Sequence, residues 1–181
     1  GIVKVLDFFE INNTAYIVME YLEGITLKQY IRENQRITLE ELVRLLVPLI
    51  ESLDEIHSQG MIHRDISPDN IMVLPDGRIK LMDFGAARDY TKFGEKTLSI
   101  VLKPGYAPPE QYQTHGIQGP WTDIYALCAT MYKCITGETP PDAIDRVIDD
   151  HLKKISEFGI TIPPQVESVI IKGMSVSAKD R

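Results

Sequence analysis

The alternation of apolar and polar residues near the start of the chain predicts a β-hairpin. Residues 2–10 and 15–21 are rich in β-branched and aromatic side chains, and the four residues Ile11–Thr14 join them. Asn12 and Asn13, at the centre of this connection, tolerate the positive φ angles that a tight two-residue turn requires. We therefore expect two antiparallel strands in this region.

Apolar residues spaced three and four positions apart predict helices further along the chain. Leucines and an isoleucine recur at this spacing over 42–56, and Thr38 with Glu41 has the N-cap and N3 spacing of a capping box. The stripe indicates a core-facing helix that begins at Thr38 and ends near Gly60. The other predicted helices cover Thr26–Arg32, Trp121–Ile135, Asp142–Lys154 and Pro164–Met174.

A second hairpin is predicted where Pro75–Gly77, a strong turn sequence, separates the apolar runs 71–74 and 78–82. Asn70 directly precedes the first of these runs, and Asp83 directly follows the second. Because antiparallel pairing brings the two outer ends of a hairpin together, these polar side chains should lie side by side. Short hairpins among longer helices predict the α+β class.

The composition is that of one globular domain. Of the 181 residues, 44% are apolar and 25% are charged. The net charge of −7 and the lack of a basic run argue against nucleic-acid binding. No apolar run approaches the roughly 20 residues that a membrane helix needs. Cys128 and Cys134 face different directions on one predicted helix, which favours reduced, buried thiols in a cytoplasmic protein.

Four motifs carry the candidate chemistry. His63–Asn70 reads His-Arg-Asp-Ile-Ser-Pro-Asp-Asn, Asp83–Gly85 reads Asp-Phe-Gly, and Pro108–Glu110 reads Pro-Pro-Glu. Asp123 follows near the start of a predicted helix. In this order and at these spacings, the motifs resemble those of the eukaryotic-type protein kinases, in the form common among bacterial serine/threonine kinases. The resemblance covers the whole chain, although the family's closing motif usually reads Ala-Pro-Glu.

The resemblance implies a protein-kinase-like fold, with a mostly α-helical large lobe, short β-hairpins and a truncated small lobe. Residues 1–181 would be one partial kinase domain, in which 1–22 is the remnant of the small lobe with the hinge and 23–181 is the large lobe. The family's Gly-rich loop, strand lysine and helix C have no counterpart in these residues. We therefore expect this fragment alone to bind ATP weakly and to transfer phosphate poorly or not at all. We also expect self-association through the open edges of the 2–21 hairpin.

The resemblance also implies the roles of individual residues. Asp65 would be the catalytic base that accepts the proton of a Ser or Thr hydroxyl on a protein substrate. Asn70 and Asp83 would bind Mg²⁺, which prefers hard oxygen ligands. The residues implied in binding the nucleotide are Met19, Glu20, Leu22, Thr26, Asp69 and Met72.

Other motif residues have structural or regulatory roles in the family. Asp123 would accept hydrogen bonds from backbone N–H groups of the catalytic loop, and Arg181 would form a largely buried ion pair with Glu110. Arg64 would pair with a phosphate on the loop that follows Asp83. The candidate phosphorylation sites are Thr91, Thr97 and Ser99. Ordinary loop polarity is the alternative interpretation, and for any single one of these hydroxyls it is slightly favoured.

Two positions depart from the family pattern. Ser67 stands where a lysine is usual, two residues after the catalytic aspartate, and Lys103 stands where a threonine is usual in the substrate-docking loop. Because these two family positions meet over the aspartate, we hypothesise an exchange in which Lys103 supplies the catalytic cation to Asp65 and Ser67 supplies a hydroxyl. A solvated lysine on a loop is the alternative interpretation.

The pattern as a whole predicts the catalytic lobe of a serine/threonine protein kinase. The parent enzyme would transfer the γ-phosphoryl group of Mg·ATP to protein hydroxyls. One alternative is a catalytically silent kinase-like binding module, which the changes at Ser67 and Lys103 favour but the intact Asp65 opposes. The other is a small-molecule phosphotransferase, which shares the Asp, Asn and Asp set but not the long loop over 85–110.

Overall fold

The structure is a computed structural model that describes residues 1–83, 88–89 and 102–181, with only the backbone described at 88–89. Several residues named above lie outside this part of the chain, namely Phe84, Gly85, Thr91, Thr97 and Ser99.

Short strands and longer helices alternate through the described residues. The strands are β1 (Val5–Ile11), β2 (Thr14–Met19), β3 (Ile25–Thr26), β4 (Met61–Ile62), β5 (Ile71–Val73), β6 (Ile79–Leu81) and β7 (Arg88–Asp89). The α-helices are α1 (Leu27–Asn34), α2 (Leu39–Ser58), α3 (Pro109–Tyr112), α4 (Pro120–Thr136), α5 (Ala143–Ile148) and α6 (Pro164–Gly173). Short 3₁₀ turns lie at Ile155–Phe158 and Ala178–Asp180.

The first hairpin forms as predicted, from β1 and β2 in antiparallel register with Ile11 opposite Thr14. Asn12 and Asn13 connect the strands with φ angles of 53° and 57°. Two consecutive positive φ angles are typical of a type I′ turn, whose twist matches that of the flanking strands. Every residue of both strands is exposed to solvent. The hairpin therefore takes its order from its turn and its backbone ladder, rather than from burial.

Helix α2 carries the predicted apolar stripe. Thr38 is its N-cap, and the Thr38 hydroxyl accepts a hydrogen bond from the Glu41 N–H at 3.2 Å. The predicted capping box is confirmed only in this half, because the Glu41 carboxylate accepts a hydrogen bond from the Tyr30 hydroxyl and thereby ties α1 to α2. The buried residues of the stripe are Leu42, Leu45, Leu46, Leu49 and Leu53.

Strands β3, β5 and β6 form an antiparallel sheet with β5 at its centre. Gly77 lies in the turn between β5 and β6 with a φ of 80°, a conformation that favours glycine. The Met82 N–H donates to the Asn70 carbonyl at 2.8 Å, so the residues that flank the hairpin are direct neighbours. The predicted approach of Asn70 and Asp83 is therefore confirmed in the backbone.

Helix α4 is buried along most of its length, with twelve of its seventeen residues in the buried interior. Three of these are threonines, and two of them, Thr130 and Thr136, each donate the hydroxyl to the carbonyl four residues earlier. The distances are 2.9 Å for Thr130 and 2.8 Å for Thr136. This back-bonding satisfies hydroxyls that burial would otherwise leave without partners. Gly137 ends the helix with a left-handed φ of 78°.

The predicted polar helix over 142–154 is wrong in its length. Helix α5 ends at Ile148, and Asp149 is extended, with φ −148° and ψ 106°. The Asp150 carboxylate then accepts a hydrogen bond from the Leu152 N–H at 3.2 Å. Aspartate side chains that bond nearby backbone N–H groups compete with the helical ladder, which explains the early end.

The hydrophobic core lies between the β5–β6 hairpin and helices α2, α4 and α6. This helix-rich architecture with short antiparallel strands agrees with the predicted α+β class. Within the described residues, no helix combines the length and the apolar character that crossing a membrane would require.

Candidate active site

The loop between β4 and β5, residues 63–70, is anchored by a buried aspartate. Asp123 lies in the first turn of α4 and is fully buried. Its carboxylate accepts three hydrogen bonds of 2.8 Å, from the backbone N–H groups of His63 and Arg64 and from the His57 ring Nε2. Such donors offset the cost of burying a carboxylate, and the helix N-terminus favours its negative charge. The predicted anchoring by Asp123 is confirmed.

The His63 side chain connects this loop to the end of the β5–β6 hairpin. Its fully buried ring places Nε2 3.0 Å from the Met82 carbonyl, while Nδ1 accepts the Asp65 backbone N–H at 3.3 Å. Burial lowers the pKa of the His63 imidazole, against the opposing effect of the nearby Asp123 carboxylate. The His63 ring is therefore neutral at pH 7 and carries its proton on Nε2, which donates to Met82.

Asp65 is held by two polar side chains, Asn70 and Lys103. The Asn70 amide nitrogen donates to the Asp65 carboxylate at 2.7 Å and to its backbone carbonyl at 2.8 Å. The Lys103 ammonium lies 3.0 Å and 3.1 Å from the two carboxylate oxygens of Asp65, and 3.0 Å from the Ser67 hydroxyl. The structure thus brings the three predicted catalytic residues together with Asn70. Lys103, at 29% exposure, is not a solvated loop lysine.

A tight turn presents Lys103 to this cluster. The Lys103 carbonyl accepts hydrogen bonds of 3.0 Å from the N–H groups of Tyr106 and Ala107. Gly105 has a φ of 84°, and a Cβ atom there would lie 2.6 Å from the Pro140 carbonyl oxygen. Because only glycine fits this approach, the turn packs closely against the segment that follows α4, and the position of Lys103 is fixed.

Asn70 and Asp83 are the residues that the sequence predicts as ligands of Mg²⁺. Since the Asn70 amide nitrogen is committed to Asp65, the amide orientation is fixed and its oxygen is the remaining ligand atom. Asp83 is exposed and has a φ of 62°. Across 1–83 and 102–181, no three His, Cys, Asp or Glu side chains form a metal cage by themselves. Mg²⁺ commonly binds one or two protein oxygens together with substrate phosphates, and these residues fit that pattern.

The residues predicted to bind nucleotide near the end of β2 already make contacts within the chain. The Glu20 carboxylate accepts hydrogen bonds from the Lys80 ammonium at 2.6 Å and from the Lys4 N–H at 2.8 Å. The hydrogen bond from Lys80 is the main cause of a lowered pKa for Glu20. Glu20 and Leu22 line a groove beside the β5–β6 turn, and Met19 lies outside that groove.

The other predicted nucleotide residues lie around β3 and the catalytic loop. Thr26 in β3 is paired with Met72 in β5, and both lie outside the groove beside the turn. The Thr26 hydroxyl also caps α1, since it accepts the Gln29 N–H at 3.1 Å. The Asp69 carboxylate forms a partly exposed ion pair of 2.8 Å with Lys28. The groove beside the β5–β6 turn therefore does not bring together the six residues that were predicted to bind the nucleotide.

The Pro-Pro-Glu motif is tied to α4 and to the last described residue. The guanidinium nitrogens of Arg181 lie 2.6 Å and 3.0 Å from the two carboxylate oxygens of Glu110. The Thr122 hydroxyl donates to the same carboxylate at 3.0 Å. Both charged side chains are nearly inaccessible, at 0% exposure for Arg181 and 9% for Glu110. The predicted buried pair is confirmed.

Three residues that bond to the site were not predicted, namely His57, Lys28 and Gln111. Their partners are 66, 41 and 47 positions away along the chain. Separations of this size leave no local pattern in the sequence. Only His57 offered a signal, as a histidine in the last turn of the helix that leads into the catalytic loop.

Comparisons with known proteins agree with this geometry. A family model described as protein kinase domain matches residues 1–180. The chain is 30% identical over 188 residues to the probable serine/threonine-protein kinase PknB of Lactococcus lactis, and 32% identical over 190 residues to the serine/threonine-protein kinase PrkC of Bacillus subtilis. These matches cover 100% and 99% of the chain but only 30% and 28% of the two relatives.

A solved structure gives a similar result. The chain described as PpkA-294 apo form matches with a TM-score of 0.83 and 37% identity. The match covers 100% of the present chain and 64% of the solved one.

Proposed function

Because the chain belongs to the protein kinase domain family and has a protein-kinase-like fold, we propose that the parent protein is an active serine/threonine protein kinase. It would transfer the γ-phosphoryl group of ATP to Ser and Thr hydroxyls of other proteins. The observation that carries this proposal is the cluster around Asp65, in which Asn70, Lys103 and Ser67 are joined by contacts of 2.7 to 3.1 Å.

Asp65 acts on the substrate hydroxyl. In the transfer, a bond forms between the hydroxyl oxygen and the γ-phosphorus, and the bond from the γ-phosphorus to the bridging oxygen of ADP breaks. The hydroxyl proton passes to the Asp65 carboxylate, and ADP leaves with the bridging oxygen. Asn70 fixes the direction of the carboxylate, because it bonds both the side chain and the backbone of Asp65.

Lys103 supplies positive charge to the group in transfer. The protein's contribution to phosphoryl transfer is mostly positioning and electrostatic stabilisation, so a cation beside the base has a large effect. An ammonium on a flexible stem serves this purpose from either side of the aspartate. Ser67 orients Lys103 through the contact of 3.0 Å. These distances support the exchange of roles between the two positions.

Asn70 and Asp83 would hold Mg²⁺, which neutralises phosphate charge when it is bound. The Glu20 carboxylate already accepts a hydrogen bond from Lys80, so Glu20 would contact the nucleotide through its backbone. Lys28 likewise occupies the Asp69 carboxylate. The remaining proposed nucleotide contacts are Met19, Leu22, Thr26 and Met72.

The domain division follows the distribution of buried residues. Apart from Val3, the buried hydrophobic residues begin at Leu27, whereas β1 and β2 are exposed throughout. This contrast supports a boundary between 1–22, as small-lobe strands with the hinge, and 23–181, as the large lobe. Exposed apolar strands with open edges support self-association through the 2–21 hairpin.

Partners and location follow from charge and cysteine usage. A net charge of −7 argues against a nucleic-acid partner, and the protein substrate follows from the kinase family. Cys128 and Cys134 are buried free thiols, and burial raises the pKa of each to about 12. Two inert reduced thiols support a cytoplasmic location for this domain.

The proposal is tested by calorimetry and by a transfer assay. Mg·ATP should bind the parent protein, and Asp83→Ala should remove the magnesium dependence of that binding. With a Ser/Thr peptide library, Asp65→Asn should lower the transfer rate at least about 100-fold, since it removes the base and keeps the shape. Binding without transfer would instead indicate a silent kinase-like module. Transfer to an aminoglycoside or choline, but to no peptide, would indicate a small-molecule phosphotransferase.

A further inference from the structure

The segment 102–112 contacts the region of Asp65 at two separate points. Lys103, near the beginning of the segment, bonds the Asp65 carboxylate. Gln111, near its end, donates from its side-chain Nε2 to the Arg64 carbonyl oxygen at 2.8 Å. That carbonyl belongs to the peptide group that joins Arg64 to Asp65. One segment therefore contacts both the side chain of Asp65 and the backbone that orients it.

The backbone at Arg64 needs external support. Its φ of 73° lies in the left-handed region, which a long side chain rarely adopts. Arg64 is only 7% exposed, so its backbone groups have little access to water as an alternative partner. Strained backbone persists only where the surroundings hold it, and such places are concentrated at functional sites.

The hydrogen bonds around this strained residue account for its backbone groups. The Arg64 N–H donates to Asp123 at 2.8 Å, and the following N–H, of Asp65, donates to the His63 ring at 3.3 Å. The Arg64 carbonyl accepts from Gln111. Removal of the Gln111 donor would leave a buried carbonyl without this hydrogen bond in the peptide that enters Asp65.

Gln111 is itself held in a fixed place. It lies in α3, directly after Glu110, whose carboxylate bonds Arg181 and Thr122. A Cβ atom at Gly116 would lie 1.9 Å from the Glu110 carbonyl oxygen, so the chain folds back closely on this helix. The Gln111 side chain therefore extends from an anchored helix to the catalytic loop.

We infer that Gln111 is a positioning residue for Asp65, acting through the Arg64 carbonyl. Through this hydrogen bond, the position of the segment 102–112 determines the orientation of Asp65, and the contact between Lys103 and the Asp65 carboxylate is maintained. This inference rests on the proposed function for its catalytic consequence. The coupling itself is a statement about the catalytic loop that can be measured without any phosphoryl transfer.

The test compares Gln111→Met, which keeps the side-chain volume and removes the donor, with Gln113→Met as a control. Gln113 is exposed, two positions further on, at the C-terminal end of α3. Hydrogen exchange should be about tenfold faster at the amides of 63–65 in Gln111→Met and unchanged in Gln113→Met. With peptide substrate, Gln111→Met should lower kcat about tenfold and leave KM for ATP unchanged, because the nucleotide contacts are intact.

The two readouts separate this inference from the proposed function. Unchanged exchange at 63–65 in Gln111→Met would overturn the coupling, whether or not the protein transfers phosphate. Faster exchange with an unaltered kcat, or a loss confined to KM, would overturn the positioning role. A wild-type protein that transfers nothing would count against the proposed function, while the exchange rates would still decide the coupling.

Discussion

The catalytic loop, residues 63–70, is more buried than the two strands of the first hairpin, although loops are usually more exposed than strands. None of the residues 63–70 is exposed, and six of them are buried. In β1 and β2, every residue is exposed. Loops normally run over the surface, because their backbone polar groups need water as a partner. This loop instead finds its partners in side chains from distant parts of the chain.

The two regions differ in which residues stabilise their structure: neighbours along the chain in the hairpin, and distant residues in the loop. The hairpin depends on Asn12 and Asn13, which lie between its own strands, and on the ladder that they permit. The loop depends on Asp123 and Gln111, which follow it by more than forty positions. Changes in the hairpin should therefore remain local. Changes in the partners of the loop should affect both the stability of the protein and the site.

The largest effect is expected for Asp123→Ala. The variant leaves two buried backbone N–H groups and the His57 ring without their acceptor, and each orphaned donor costs about 1–3 kcal/mol. The free energy of unfolding, measured by urea denaturation, should fall by about 4–5 kcal/mol. Asp123→Asn keeps one carbonyl acceptor, so its free energy of unfolding should fall by less. A fall of under about 1 kcal/mol in Asp123→Ala would contradict the anchoring role.

A second large effect is expected for Arg181→Met. This change leaves the Glu110 carboxylate buried without its opposite charge, which typically costs about 3 kcal/mol. The double variant Arg181→Met with Glu110→Gln should recover part of that loss, because no unpaired charge then remains. Equal denaturation midpoints for the single and double variants would show that the carboxylate is not stranded by loss of the arginine.

Acidification should destabilise the protein through His63. Burial lowers the pKa of this imidazole in the folded state below the value of about 6.5 in the unfolded chain. As the pH falls through 6.5, the unfolded state therefore binds a proton that the folded state does not. The free energy of unfolding should decrease by up to about 1.4 kcal/mol per pH unit, until the pH reaches the folded pKa.

The pH dependence has a matched control in His115, an exposed histidine. Urea denaturation at pH 7.5, 6.5 and 5.5 should show a smaller dependence in His63→Gln, and an unaltered one in His115→Gln. The same slope in His63→Gln as in the wild-type protein would assign the effect to other groups.

The smallest effect on stability is expected in the hairpin. Phe8 lies opposite Ile17 on exposed strands, so Phe8→Lys should change the free energy of unfolding by no more than about 0.5 kcal/mol. Light scattering should show reduced self-association, whereas Val47→Lys, at an exposed position on α2, should have no such effect. Hydrogen exchange over 63–70 should be unaltered in both variants. Slower or faster exchange there would break the contrast between the two regions.

Elements whose signals are local could be predicted from the sequence. The Asn-Asn turn, the leucine stripe of α2 and the Pro-Asp-Gly turn each specify their structure within a few residues, and all three are confirmed. The contacts of Asp123 and Lys103 connect distant positions, and they were predictable only because the motifs resemble those of a known family.

Other features could not be predicted, because side chains there form hydrogen bonds that replace the expected ones and no local sequence pattern indicates this. Helix α5 stops at Ile148 because Asp150 bonds a backbone N–H beyond it. The Glu41 carboxylate accepts a hydrogen bond from the Tyr30 hydroxyl instead of completing the capping box, because the packing of α1 on α2 brings this second donor close. The bond from Gln111 joins residues 47 positions apart, and a glutamine in a short helix carries no pattern that announces such a partner.

The exchange of Lys103 and Ser67 is tested most directly by moving the lysine back. Transfer rates to a Ser/Thr peptide are compared for the wild-type protein, Lys103→Thr, and the double variant Lys103→Thr with Ser67→Lys. The single variant should lose about 100-fold or more in kcat, with Mg·ATP affinity little changed. The double variant, which carries the family's usual arrangement, should recover most of that rate. Full activity in Lys103→Thr, or no recovery in a folded double variant, would contradict the exchange.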